Sequence, residues 1–419
     1  MHKANTRLSE MSDQLTVRRS SSEFWFPKIV GLVNVSYLIW KFNPFVFPER
    51  TAELLNLRFE PVSILALSGS PPTYLMLVIA AIVLGITSIA FFSPRIPLRF
   101  SAPLALISFL FLSSSAHSFF SAVSHDFFFP LYANIGLTIA VFGKNGFSPI
   151  GIRLTVALMG LGLLHGGLCK LYLGSGEFGE WITTDNLRNK LLIRFQVALQ
   201  KPIPNYVTLL TEHPILWKSS AFVVVFAQIA SIVGVCNQIR WARWISFFSI
   251  LLGLIGLIIF FQIIWVTPWI PLAFLALIPA KLNLSSRREK VLAGVAASII
   301  ILQIFASLYF PRQSRLLYPF GTFKMYSNVQ KTEGKSLRFK KSFWEIKTSP
   351  EITLWNKNQF RRRFSSITGM PKETLIAGAQ VWLGKQGYKV LNIDVFLEEF
   401  ELSPHPSRTI LRIINTTPK

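Results

Sequence analysis

The sequence predicts an all-α polytopic membrane helical bundle of about nine transmembrane helices, followed by a small α+β extramembrane C-terminal domain. Three observations carry that prediction. Of 419 residues, 51% are hydrophobic and only 15% are charged, where soluble domains carry about 25% charged residues. Apolar stretches recur at close to the roughly 20 residues that a bilayer core requires of a helix. Beyond residue 310 those stretches stop, and a strand-like alternation replaces them. The 37 Phe and 11 Trp suit lipid-facing and interfacial surfaces.

The elements follow in order. Residues 1–23 are polar and hold no apolar core of a signal peptide, so "FWFPKIVGLVNVSYLIW" (24–40) reads as an uncleaved anchor at the start of a transmembrane domain over 24–310. Further spans are expected near 71–92, 101–120, 127–143, 152–174, 214–236, 244–265, 267–280 and 291–310. The eighth, "TPWIPLAFLALIPA", is short and carries three prolines, which predicts a tilted or broken segment. Lys and Arg concentrate on one set of short loops: Arg95 and Arg99, Lys144 and Arg153, Arg240 and Arg243, then Lys281, Arg287, Arg288 and Lys290. The short loops near 121–126 and 265–267 have none. Positive short loops face the cytoplasm. The expectation is therefore a multi-pass protein of the cell inner membrane, with a cytoplasmic N-terminus and an extracytoplasmic tail.

The tail, 311–419, carries 19 basic and 8 acidic residues. "SLRFKKSFWEIK", "YKVLNIDVFLEEF" and "RTILRIINTT" alternate like strands, and "PKETLIAGAQVWLGKQG" reads as a helix between Pro and Gly. A basic tail on the outer side with no recognition motif argues against nucleic acid as a partner. It fits anionic headgroups of the lipid bilayer, with an acidic partner as the alternative.

Two cysteines make no disulfide framework. No HExxH, ligand-spaced His/Cys cluster or phosphate loop is present, so no metal is expected. The unusual residues lie inside the spans. Lys170 stands in "LLHGGLCKLYLGSG". An ionisable group in a membrane helix is a functional candidate by default. Lys170 is also close enough to the helix end for its amine to snorkel to headgroups. Gly162, Gly166 and Lys170 recur every four residues, with Gly160, Gly167 and Gly174 alongside. Small residues mark close helix packing in lipid, so the Gly162/Gly166 face is expected against another helix and Lys170 inside the bundle. His117, in "LSSSAHSFF", falls at a similar expected depth, either as a structural hydrogen-bonder or beside Lys170. His165 lies off the Lys170 face and pairs with Cys169 at i+4. His125 and Asp126 read as a solvated turn.

"GGLCKL" followed by "GEWITTDNLRNKLL" resembles vitamin K-dependent gamma-glutamyl carboxylases and their bacterial relatives, the HTTM (horizontally transferred transmembrane) domain proteins. "HSFF" at His117 resembles the family's His-Ser pair, and "YPFGTFKMYSNV" (318–329) is similar to a motif after its last span. The resemblance implies a carboxylase-like membrane enzyme. Its cofactor would be reduced vitamin K or another hydroquinone, and its substrate an extracytoplasmic peptide or protein. By position, Lys170 would be the base and His117 its assistant, with His165 and Trp181 as substrate-binding candidates. Cys169 departs from the basic residue that the animal enzymes carry there, and the external region is far smaller than theirs. Two other readings stay open: a non-catalytic membrane scaffold or binding protein, and a quinone-linked redox partner resembling DoxX-like proteins, in which a cysteine would act.

Overall fold

The computed structural model describes residues 21–42, 63–65, 72–93, 96–119, 127–144, 146–172, 178–199, 201–282, 284–309, 318 and 320, and the backbone of 337–349, 389–402 and 409–415. The helices are α1 (Ser21–Trp40), α2 (Tyr74–Ala90), α3 (Leu98–Phe119), α4 (Phe128–Ala140), α5 (Ile150–Tyr172), α6 (Glu180–Thr183), α7 (Asn186–Leu192), α8 (Asn205–Glu212), α9 (Pro214–Ala230), α10 (Arg240–Phe261), α11 (Ile270–Ala273) and α12 (Arg287–Tyr309). Helix α7 continues as a π-helical turn (Ile193–Leu199), and α9 continues as a 3₁₀ segment (Ser231–Cys236).

Among the described residues, five helical segments are long and apolar enough to cross a membrane: Leu98–Ser118, Ile150–Tyr172, Pro214–Cys236, Arg240–Phe261 and Arg287–Tyr309. Tyr74–Ala90, Phe128–Ala140 and Val266–Leu277 are apolar but shorter. The proline-rich eighth stretch is indeed broken. The four-residue α11 lies between 3₁₀ segments Ile264–Trp269 and Phe274–Leu277, because Pro268 and Pro271 remove backbone donors.

The bundle's exterior is apolar, with Phe248 58%, Ile301 65% and Leu308 70% exposed. Its interior holds polar pairs that bind distant helices. Asn34 and Asn134 exchange side-chain hydrogen bonds of 3.0 and 2.9 Å. Trp269 Nε1 donates to Tyr37 Oη at 2.8 Å, and Tyr132 Oη donates to Gln303 Oε1 at 3.0 Å. Apolar groups outside and polar pairs bonded across helices inside suit a hydrocarbon solvent. Glu289, in the first turn of α12, accepts from Lys144 N and Ser148 Oγ, which fixes the α4–α5 turn against α12.

The tightest crossing joins α4 to α5, where Gly136 and Gly151 face each other: a methyl on either would run into the other helix's backbone. Thr155 Oγ1 donates to Gly151 O and Tyr132 O beside this contact. Helix α5 lies on α9 through the seven-residue glycine series. A Cβ at Gly160 would stand 3.1 Å from Ile232 Cα, and one at Gly167 would stand 2.9 Å from Ile229 Cγ1. Gly162 and Gly166 are buried as well.

In the tail, β1 (Leu337–Ser349), β2 (Lys389–Leu402) and β3 (Thr409–Asn415) form an antiparallel sheet in the order β1-β2-β3. Lys340 stands at the register position of Glu399, and Glu399 at that of Arg412. The three strand-like stretches overlie these strands. The helix expected over 371–387 lies outside the described residues, as do His125 and Asp126.

Candidate functional site

Lys170 is 3% exposed and does not snorkel. Its Nζ donates to Gln228 Oε1 at 3.0 Å and to Gly166 O at 3.3 Å, and it lies 5.5 Å from the centroid of the Trp181 ring. The reason is the unequal reach of the helices. Lys170 is two residues from the end of α5, but Gln228 is fourteen residues into α9, about 21 Å of helical rise from Pro214. Helix α5 therefore stops well short of α9, and its last turn meets the middle of the longer segment. The glycine faces set this register, since without Cβ atoms at Gly160 and Gly167 the α5 backbone settles directly on α9.

The space above α5 is filled by α6, α7 and α8. Gly179, at φ +76°, turns the chain back, and its N–H donates to Leu171 O at 2.9 Å. Glycine accepts this left-handed backbone without steric cost. Trp181 follows, buried with Leu187, Leu191 and Phe195 against Ala221 and Val225 of α9. Arg194 pins this roof to α10: Nε donates to Phe261 O at 2.7 Å and Nη2 donates to Gln262 O at 3.3 Å. A cation at the last carbonyls of a helix is favourable. Arg188 Nε donates to Thr211 O, closing α7 onto α8.

Between α5, the roof, α9 and α10 lies a cavity of about 350 Å³. Lys170 and Gln228 supply its buried polar end, and Leu163, Leu191, Ile250 and Phe260 belong to its apolar wall. Among the described residues, no acidic side chain lines it. Lys190, on α7, lies within electrostatic reach of Lys170. Burial pushes the Lys190 amine down to about 8. Its charge thus opposes folding below about pH 8, and the penalty is relieved as pH rises from there to the ordinary lysine range.

The cavity unites two of the four expected site residues, Lys170 and Trp181. His117 is not among its lining residues. The imidazole is buried with its ring 4.9 Å from Phe127 and 4.8 Å from Tyr318, in the aromatic cluster near the start of α4. The hydrogen bond from Thr155 to Tyr132 O sets the antiparallel register of α4 on α5. Continued to Phe127, that register reaches about residue 160, ten residues or about 15 Å of rise from Lys170. This register sets the Phe127 contact of His117 against the middle of α5, and Lys170 in its last turn. His165 also stays outside the cavity and approaches Cys169 Sγ at 3.6 Å. Neither cysteine is in a disulfide, and neither lines the cavity. Among the described residues, no group of three or more His, Cys, Asp or Glu could hold a metal.

The sequence reading missed Gln228 and Lys190. The signal for Gln228 was present as a lone amide in "AFVVVFAQIA", since a polar side chain in a span needs a partner in the bundle. Lys190 offered no comparable signal, because a lysine in an amphipathic segment usually faces water. No family model, curated protein or solved structure matches the chain.

Proposed function

We propose that this chain is a multi-pass membrane enzyme of the carboxylase-like kind, acting on a lipid-soluble hydroquinone with Lys170 as its base. The observation that carries the reading is the Lys170 amine, buried beside a neutral amide in a cavity whose wall is mostly apolar. The donor set fits the class: an apolar wall for a ring, and an amine for an acidic hydroxyl. When bound, such a hydroquinone supplies a removable proton and reducing electrons. Lys170 Nζ takes or holds that proton, Gln228 orients the amine, and the roof from Trp181 to Leu210 excludes water. The resemblance of "GGLCKL" to the vitamin K-dependent carboxylases supports the same role. The test supplies membranes containing the chain with reduced vitamin K, CO2, O2 and glutamyl peptides. Mass spectrometry should find one CO2 added on Glu, absent with Lys170→Ala. No addition to any peptide, with hydroquinone consumption equal in the two proteins, would overturn the proposal.

The placement of His117 among Phe127 and Tyr318 favours a second reading, a non-catalytic scaffold or binding protein that keeps the bundle. The DoxX-like redox reading gains no support from a cavity that neither cysteine lines.

The orientation belongs to the same proposal: nine spans, N-terminus in the cytoplasm, and the basic tail as an extracytoplasmic domain near an anionic bilayer and a peptide substrate. In a Cys236→Ser background, Ser365→Cys should react with an impermeant thiol reagent in intact cells. Reaction only after lysis would reverse the tail's side.

A further inference from the structure

We infer that the Lys170 cavity opens sideways into the bilayer between α9 and α10, and that Gly253 and Gly256 keep this portal open for an amphiphile with a long apolar tail. The inference rests on the reading of the cavity as a ligand site. It concerns how the ligand arrives and which part of it the site selects.

Three observations point the same way. First, cavity-lining residues are also surface residues of the bundle. Leu216 and Val223 of α9 are 39% and 43% exposed, and Leu252 of α10 is 50% exposed. The cavity wall thus continues to the bundle's exterior, mostly through apolar side chains, with Ser219, Ser220 and Ser249 along the way.

Second, α9 and α10 meet at one end and part toward the other. Near the Ser231–Cys236 segment they are in close contact: Ser246 Oγ donates to Ser231 O at 3.0 Å, and a Cβ on Gly234 would collide with Ser246. Two and three turns further along α10, Cβ atoms on Gly253 and Gly256 would meet nothing within 4 Å. Glycines in membrane helices ordinarily draw a neighbour close. These two line the cavity and face open space instead.

Third, the route through the roof is blocked among the described residues. Tyr206 Oη donates to Ile259 O at 2.9 Å, Arg194 holds the last carbonyls of α10, and Leu187, Leu191, Leu210 and Phe261 fill the space beneath. The side opening is the path that the packing leaves. A ligand lying in it has its polar head at Lys170 and Gln228 and its tail among lipid chains. The site therefore selects a molecule that partitions into the bilayer over a water-soluble one of the same head chemistry.

The experiment uses the full chain in lipid nanodiscs under an anaerobic reductant, with phylloquinone (tailed) and menadione (tail-less), both held in their hydroquinone forms, as probes and quenching of tryptophan fluorescence as the readout. Gly253→Leu and Gly256→Leu add side chains where there is space, so thermal stability should be unchanged. Each should weaken phylloquinone binding by about tenfold or more and leave menadione within about twofold. Unchanged phylloquinone affinity in both variants, with loss in Lys170→Ala, would overturn the portal and leave the site standing. If Lys170→Ala has no effect on either probe, the hydroquinone reading fails, and the portal is decided by a second measurement. A nitroxide on Gly256→Cys, in a Cys236→Ser background, should collide with dissolved O2 and be protected from a water-soluble nickel chelate. Ready access of the nickel chelate would overturn it.

Discussion

Lys170→Ala should lower turnover by about 10²–10⁴-fold, the contribution typical of a positioned acid–base group, while the purified protein stays folded. The substitution leaves Gln228 Oε1 without its 3.0 Å donor, a loss on the order of 1–3 kcal/mol in a bundle whose tightest glycine crossing is elsewhere. Lys170→Arg should not restore activity, because a guanidinium remains protonated and cannot accept a proton. Gln228→Leu tests positioning. It should lower kcat by less than Lys170→Ala and displace the pH–rate profile, which a loss of packing alone would not do. His117→Ala should stay within a few-fold of wild type, since its ring packs outside the cavity. Full turnover in Lys170→Ala, or loss in His117→Ala equal to that in Lys170→Ala, would contradict the site described here.

The largest loss of stability should come from the crossing of α4 and α5. Gly151→Ala places a methyl against the α4 backbone at Gly136 and Ala140, and Gly136→Ala places one against Gly151 O and Thr155. The Thr155 hydroxyl can rotate aside, but in each variant a backbone carbonyl, Gly136 O or Gly151 O, also stands in the way. Overpacking ordinarily costs about 1–3 kcal/mol, and more where backbone must shift. In lipid no hydrophobic gain offsets the lost contact. Either variant should lower the thermal midpoint in detergent clearly, and Gly136→Leu or Gly151→Leu should prevent recovery of folded protein. Gly256→Ala is the matched control, because its methyl enters open space and should leave the midpoint in place. Equal midpoints for Gly151→Ala and Gly256→Ala would show that α4 and α5 do not pack as described.

Much of the architecture was legible in the chain because a bilayer makes it so. A backbone crossing hydrocarbon must satisfy its own hydrogen bonds, so apolar length reads directly as helix. The prolines of 267–280 likewise announced a break, since each removes a donor wherever it sits. The glycine pattern was legible only in part. Periodicity placed two glycine series on α5, and it could not say which one a neighbour would meet at closest approach. Gly160 and Gly167 of the seven-residue series lie against α9.

By itself, then, the sequence determined that this chain forms apolar helices, several of them long enough to cross a membrane, and that Lys170 is an anomalous charge within one of them. Composition, span length and the cost of an ion in lipid are local properties, carried by neighbouring residues. The tertiary structure alone decided what surrounds that charge. It brought Gln228 to Lys170 from 58 positions away, set Trp181 over the amine, left His117 in a separate aromatic cluster and parted α9 from α10 at Gly253. Each of these depends on how far one helix runs past another and at what splay they cross. Contacts summed over whole helix faces set those quantities, and no single motif encodes them.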